Sequence, residues 1–363
     1  MRKVLTLTLC VMVVSLWADI SFGGSPSTGM GGAGLAVVRN PGSQMYQNPA
    51  LTAYVKGVRF GLGSFMLNTK GASLSNLIDD LKFRQGSIVD IDKAADLLRK
   101  YAREDTRLVA TGDLGLVING FAISAGAIVD ARLLPNDTLQ NWASKGASED
   151  IPPTKARGDI IAMGVASVPD VAGAMRFNFQ GGELAVGARV RSLRVFYTHY
   201  FAERSDERSP WKAERADELK LRDYLEFSTT SADLGFLWRT PEGRTSYALV
   251  IENFVEPNLS LEAADRNGDG IVIKVIKPFK RAMHLGIATE VLGGGVWAFD
   301  IIDIGNNTGR SEIRTGYEQR LGAIFLRSGY ASRTGLTAGI GIGGFNLAYS
   351  KEFPIQVSRM LNF

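Results

Sequence analysis

The chain carries one cysteine and two histidines in 363 residues. That scarcity excludes disulfide scaffolds and thiol redox pairs, and it leaves too few ligands for Cys/His zinc sites. Past the N-terminus no window holds 18 uninterrupted apolar residues, so a bundle of membrane-spanning helices is excluded as well. Charge of one sign is also missing. The 41 Lys and Arg are interspersed with 37 Asp and Glu, and without a basic stripe no nucleic-acid partner is expected. Catalytic constellations are absent too: His199 and His284 stand in separate segments and no G-x-S-x-G elbow occurs. No enzymatic activity and no cofactor are expected. Glycine, by contrast, is in excess. Forty-one glycines make about 11% of the chain against a usual ~7%, and they follow no collagen-like period.

Arg2 and Lys3 precede an apolar stretch from Val4 to Trp17, and Ser21-Phe22-Gly23 offers small residues for cleavage. This is the three-part layout of a secretory signal peptide over residues 1–23, and its apolar run is shorter than the ~20 residues a spanning helix needs. Cys10 lies inside it and follows Leu9, not the small residue of a lipoprotein site. The exported chain is then free of cysteine.

From about residue 105 the apolar positions alternate with Gly, Ser, Thr or charge. Leu114, Leu116 and Ile118 lead to Asn119-Gly120, after which Phe121, Ile123, Ala125, Ala127 and Val129 resume the pattern. Asn-Gly between alternating runs predicts a type I′ hairpin. The same face recurs at Ala232, Leu234, Phe236 and Trp238, at Met283, Leu285 and Ile287, and at Leu336, Ala338, Ile340 and Ile342. Opposite faces carry Ser231, Asp233, His284, Arg314 and Glu318. A soluble sandwich alternates in the same way, so the loops decide. Short connections (Asn119-Gly120, 180–183, 240–243, 293–295) alternate with long ones (about 67–105, 134–157, 203–224, 257–279). Short turns at one rim and long loops at the other are the asymmetry of outer-membrane barrels. The expectation is an all-β, transmembrane antiparallel β-barrel of about 14 strands spanning 55–363, with a helical loop insert at about 70–104. Gly158 to Gln180 is long for one strand and contains Pro169. Val171–Gln180 is read as the membrane strand, with Asp159–Val168 an extension or plug piece.

Residues 24–54 read differently. Gly29, Gly31 and Gly34 match G-x-G-x-x-G literally, but no strand precedes them and no Asp or Glu stands between Asp19 and Asp79, so a dinucleotide site is excluded. The segment GMGGAGLAVVRNPGSQMYQNPALTAY resembles the N-terminal hatch of the FadL-type superfamily of outer-membrane barrels, which includes PorV-like relatives. Within it the TraF-like conjugal-transfer branch fits best, because it too has a helical stretch after the first strand and ends in short Gly-rich hairpins. The resemblance implies a plug inside the barrel, static or gating, built on Gly29, Gly31, Gly32, Gly34, Asn48, Pro49 and Ala50. It also implies location in the outer membrane of a Gram-negative bacterium and passive transport of hydrophobic small molecules. The alternative it carries is a structural or interaction barrel serving transfer or secretion machinery. Expected partners are outer-membrane lipid, a hydrophobic small molecule, and possible transfer or secretion components.

Three further features complete the reading. Leu74, Leu77, Ile78 and Leu81, then Ile91, Ala94, Ala95, Leu98 and Tyr101, have helical spacing and predict a helical hairpin in the first external loop. Residues 203–223 hold six Lys/Arg and seven Asp/Glu, which marks a solvated surface. Asp265, Asn267 and Asp269 copy the first half of a calcium loop, but Ile276 stands where the bidentate Glu belongs, so no metal is expected.

Overall fold

Period-two segments this long can satisfy their backbone only by pairing, and they pair here into one continuous ring. The structure is a computed structural model that describes residues 25–39, 47–70, 106–144, 154–203, 212–213, 225–259, 261–262, 275–276, 279–291, 293–351 and 355–362. The signal-peptide stretch, the helical pattern at 74–102 and the calcium-like turn of Asp265, Asn267 and Asp269 lie outside the described residues.

Fourteen strands form the wall: β1 (Val58–Lys70), β2 (Thr106–Ile118), β3 (Phe121–Pro135), β4 (Arg157–Phe179), β5 (Gly182–Glu203), β6 (Leu225–Arg239), β7 (Thr245–Val255), β8 (Ala282–Val291), β9 (Gly295–Ile302), β10 (Glu312–Leu321), β11 (Ile324–Ala331), β12 (Gly335–Ile342), β13 (Phe345–Ser350) and β14 (Ile355–Asn362). Each is antiparallel to its neighbour, and β1 pairs with β14 from Arg59↔Asn362 to Leu67↔Ile355. The ring therefore closes without a free edge. At the first hairpin Asn119 and Gly120 have φ of 44° and 91°, the positive pair that a type I′ turn requires.

The stretch around Pro169 decides between the two readings of Asp159–Val168. Residues 157–179 are one strand of 23 residues, so this piece extends the membrane strand and is not a separate plug. The register shifts between Ser167 and Asp170, and this bulge takes the proline, which has no N–H for the ladder. The sequence also missed a helix. Asn136 caps α2 (Asp137–Ser144) by accepting from the Leu139 N–H at 2.9 Å. Leu139, Trp142 and Ala143 bury against Ala156. Three apolar positions in eight residues are too few for periodicity to reveal.

Burial is inverted relative to a soluble protein. Leu336 is 77% exposed, while Arg191 is fully buried. Exposed large side chains include Leu114, Phe121, Met175, Phe177, Met283, Leu285, Ile340 and Tyr349, all on outward faces. Asp170, Arg189, Asp233, His284, Asp300, Arg314, Glu318 and Arg327 point inward and are buried. An apolar belt around a polar interior is the pattern of a bilayer-spanning barrel.

The wall is uneven in height. About 9–11 residues of tilted strand span a bilayer. β4 and β5 have 23 and 22 residues, while β8 to β14 have between 6 and 10. Along the outward face of β5 toward the long loops, Val190 gives way to exposed Arg194. That side of the barrel rises clear of the belt.

Candidate functional site

The interior is occupied by the N-terminal segment, which docks as two lobes on opposite parts of the wall. The first lobe begins with α1 (Ser25–Gly29) and runs to Arg39. Its backbone is caught by inward side chains of distant strands. The Asp300 carboxylate accepts from the Gly34 N–H at 2.7 Å and the Leu35 N–H at 3.1 Å. The Thr337 hydroxyl accepts from the Gly31 N–H at 2.8 Å and donates to the Gly29 carbonyl at 3.2 Å. Met30, Ala33, Leu35, Ala36 and Val37 bury against Ala248, Val250, Ala288, Val296 and Ala298.

The second lobe starts at Gln47. Asn48 is fully buried and caps the 3-10 helix Pro49–Tyr54, its Oδ1 accepting from the Ala50 N–H at 3.0 Å. The residue before a proline favours the extended conformation, and Asn48 has φ −140° and ψ 109°. Ala50 and Leu51 pack on Ala185 and Leu237 of β5 and β6.

Such close docking of backbone on backbone needs a wall without side chains. A Cβ at Gly316 or Gly329 would fall on the Met30 and Gly31 backbone. One at Gly187 would strike Pro49 and Ala50, and one at Gly235 would strike Asn48 and Pro49. The segment answers with Gly31, whose φ is +71° and whose own Cβ would lie 2.7 Å from the Thr315 carbonyl and from the Tyr330 backbone. Of the residues singled out by the hatch motif, Gly29, Gly31, Gly32 and Gly34 fall in the first lobe and Asn48, Pro49 and Ala50 in the second. Their receptors, Asp300, Thr337 and the inward glycines, carry no motif. Their only sequence trace is glycine recurring on the polar face of strands.

Toward the loop end, a layer of paired charges crosses the interior. Asp233 accepts from Arg189 Nε at 2.7 Å, Arg191 Nη2 at 2.9 Å and the Asn253 N–H at 2.7 Å. On the loop side Arg314 donates to Glu312 at 2.6 Å; toward the short turns, below the seat of the first lobe, Arg327 donates to Glu318 at 2.7 Å. His284 Nδ1 accepts from the Asp303 N–H at 3.0 Å, so the other ring nitrogen carries the proton facing Glu252, 3.3 Å away. Beyond this layer the lining turns apolar: Ile128, Met163, Val165, Leu193, Val195 and Tyr197 gather with Leu259 and Phe279 of the β7–β8 connection.

Asp303 opens the β9–β10 connection outside the spanning strands. Burial pushes its carboxyl up, but bonds from the Thr308 hydroxyl and amide and from the Asn307 and Arg310 amides outweigh this and hold it below the ordinary 3.8. A lowered carboxyl stabilises the turn above the unfolded value, and that stabilisation is lost as pH falls through the folded one. Amide exchange at Asn307 and Thr308 is therefore expected to be flat from pH 7 to about 4, after correction for intrinsic rates, and to lose protection below it. Protection unchanged at pH 2 would refute the assignment.

Two cavities flank the N-terminal segment. The larger, about 70 Å³, is lined by Arg189, Asp233, Glu252 and His284 with Leu35 and Gln47 of the segment, and Phe279 joins it to the apolar cluster. The smaller, about 10 Å³, lies toward the short turns among Val37, Val38, Arg39, Arg239 and Ala288. Among the described residues no group of three or more His, Cys, Asp or Glu is placed to hold a metal.

No protein-family model matches the chain, and no curated protein matches its sequence. Solved structures do. A mutant of the TodX monoaromatic hydrocarbon channel aligns over 95% of this chain and 100% of that chain, at 14% identity and a TM-score of 0.58. The toluene transporter TbuX of Ralstonia pickettii covers 95% and 99%, at 11% identity and 0.41. Outer membrane phospholipase A of Escherichia coli covers 85% and 92%, at 10% identity and 0.28. The latter two superpose too loosely to carry an argument; the first has the fold of this chain, a membrane β-barrel.

Proposed function

We propose that this chain is an outer-membrane channel through which small hydrophobic molecules diffuse, with residues 24–54 as the hatch that gates it. The observation that carries the reading is the apolar lining at the loop end, set above a segment that fills the interior. Below it, among the described residues, Arg189, Arg191 and Arg314 already donate to carboxylates, which disfavours an anionic headgroup there. A compact apolar molecule burying about 150 Å² gains roughly 4 kcal/mol, near millimolar affinity. That is enough to leave water and weak enough to let go. The fold shared with a monoaromatic hydrocarbon channel supports the same substrate class.

The test uses intact Gram-negative cells, because lipopolysaccharide and not the phospholipid bilayer is the barrier to toluene. Cells making the chain are expected to take up labelled toluene several-fold faster than matched cells without it. Equal rates with the barrel present in the outer membrane would refute the reading.

A further inference from the structure

Charge is balanced differently at the two ends of the lumen. Toward the loops, Arg189, Arg191 and Arg314 donate to carboxylates. At the short turns, the smaller cavity gathers Arg39 of the first lobe, Arg239 at the end of β6 and Arg244 of the β6–β7 turn. One carboxylate lines it with them, Glu290 of β8, and it stands 3.9 Å from Arg239 Nη2. Passage of an uncharged solute gives these three arginines no task.

Backbone, not counter-charge, holds them. Arg39 Nη1 donates to the Gly294 carbonyl in the β8–β9 turn, and Arg239 Nε donates to the Gly243 carbonyl at 2.8 Å. The Glu290 N–H donates to the Arg244 carbonyl at 2.9 Å and fixes that residue's backbone beside β8. Among the described residues the Arg244 guanidinium pairs with no carboxylate. The cavity floor is apolar, Val37 and Val38 of the lobe against Ala288 and Val296 of the wall, and Ser246 adds a buried hydroxyl. Water is a poor screen over such a floor, so the arginine charges act strongly there. The volume, about 10 Å³, is room for one oxygen atom. Arg39 and Arg244 are exposed, so the remainder of a larger group stays outside.

We infer that this pocket binds an oxyanion of the phosphate class, with one oxygen in the cavity and the others facing Arg39, Arg239 and Arg244. The flat fork of a guanidinium matches the edge of such an anion. Arg239 lies two residues beyond inward Leu237 on the same strand face, so the anion comes from lumenal water and not from lipid headgroups. Short turns face the periplasm in outer-membrane barrels, and that is its source. Because Arg39 belongs to the lobe and Arg239 and Arg244 to the wall, the anion bridges the two and keeps the lobe seated. The bridge rests on the hatch reading above and adds what holds the hatch shut.

The purified barrel, titrated with inorganic phosphate by calorimetry at fixed ionic strength, tests the site, with heat-modifiable gel mobility reporting an intact fold. Arg39→Gln and Arg244→Gln are each expected to weaken binding at least fivefold. Arg320→Gln, which removes a short-turn arginine outside the pocket, is expected to change it less than twofold. Amide exchange at Gly34 and Leu35, whose N–H groups Asp300 accepts, reports seating of the lobe. With phosphate at ten times its Kd, that exchange is expected to slow about tenfold in the wild type and no more than about threefold in Arg244→Gln. No saturable binding, binding undiminished in both pocket variants, or an equal loss in Arg320→Gln would overturn the site. Binding that leaves exchange at Gly34 and Leu35 unchanged would overturn the bridge. Exchange slowed by phosphatidylglycerol bilayers without phosphate would replace the soluble anion by a lipid headgroup. Neither readout involves transport, so absent toluene uptake would remove the channel reading and leave the pocket standing.

Discussion

Gly316→Leu is expected to convert a stopped barrel into an open one. The inward Cβ it adds would land on the Met30 carbonyl. β10 cannot retreat, because it is paired along its length to β9 and β11. The lobe cannot shift along the wall either, since Gly31 already abuts the Thr315 and Tyr330 backbone. A side chain forced into a filled site costs about 1–3 kcal/mol where neighbours can adjust; here both surfaces are backbone. Leaving the wall forfeits the two hydrogen bonds to Asp300, about 1.5–3 kcal/mol each for a charged acceptor. Those losses fall on the lobe, while the ladder that closes the barrel is untouched. Conductance in planar bilayers is expected to rise at least tenfold, with heat-modifiable mobility unchanged. Wild-type conductance would show that the lobe does not dock on β10.

Asp233→Leu is expected to be the most destabilising single change in the wall. It removes the acceptor shared by Arg189, Arg191 and the Asn253 amide and takes from two buried guanidinium groups the carboxylate between them, leaving Arg191 its bonds to Asn253 and Ser231. Breaking a buried pair from one side costs about 3–5 kcal/mol. The thermal midpoint in detergent, read by loss of β-sheet dichroism, is expected to fall accordingly. Adding Arg189→Met and Arg191→Met is expected to recover part of the loss, because apolar replacement of paired buried charges is often neutral while Asp170, which faces both arginines, loses its countercharges. A midpoint that stays low in the triple variant would mean that the charges hold the wall by more than mutual compensation.

The sequence exposed the wall far better than the interior. Alternation and the parity of short and long connections yield fourteen strands because strand pairing is written locally, in period two and in turns such as Asn119-Gly120. Pro169 leaves extension and plug undecided in the sequence: a bulge absorbs it within β4, and bulges depend on the neighbouring strands, which one segment cannot reveal. The hatch motif named the inner surfaces that meet the wall but not what they meet. Asp300 and Thr337 act on residues 266 and 306 positions away, and nothing local distinguishes Asp300 from any polar residue on an inward face. The charge layer was half legible. Asp233, His284, Arg314 and Glu318 were placed on the polar face, yet their partners follow from the curvature of the ring. Placement near conjugal-transfer barrels rests on the short glycine-rich hairpins at the end of the chain and on the helical pattern at 74–102, which lies outside the described residues.

The glycine excess has a sharper cause than the curvature of the wall. Gly187, Gly235, Gly286, Gly316 and Gly329 are footprints of the segment they receive. Their position in the chain also dictates an order of events during assembly. The first lobe emerges before any strand, but its seat runs from β7 to β13, within the last third of the chain. Contacts that separate residues by about 300 positions form late, because the loop they close is long. The lobe must therefore wait, unpaired, while the strands gather. The stopper of this vessel is made first and fitted last.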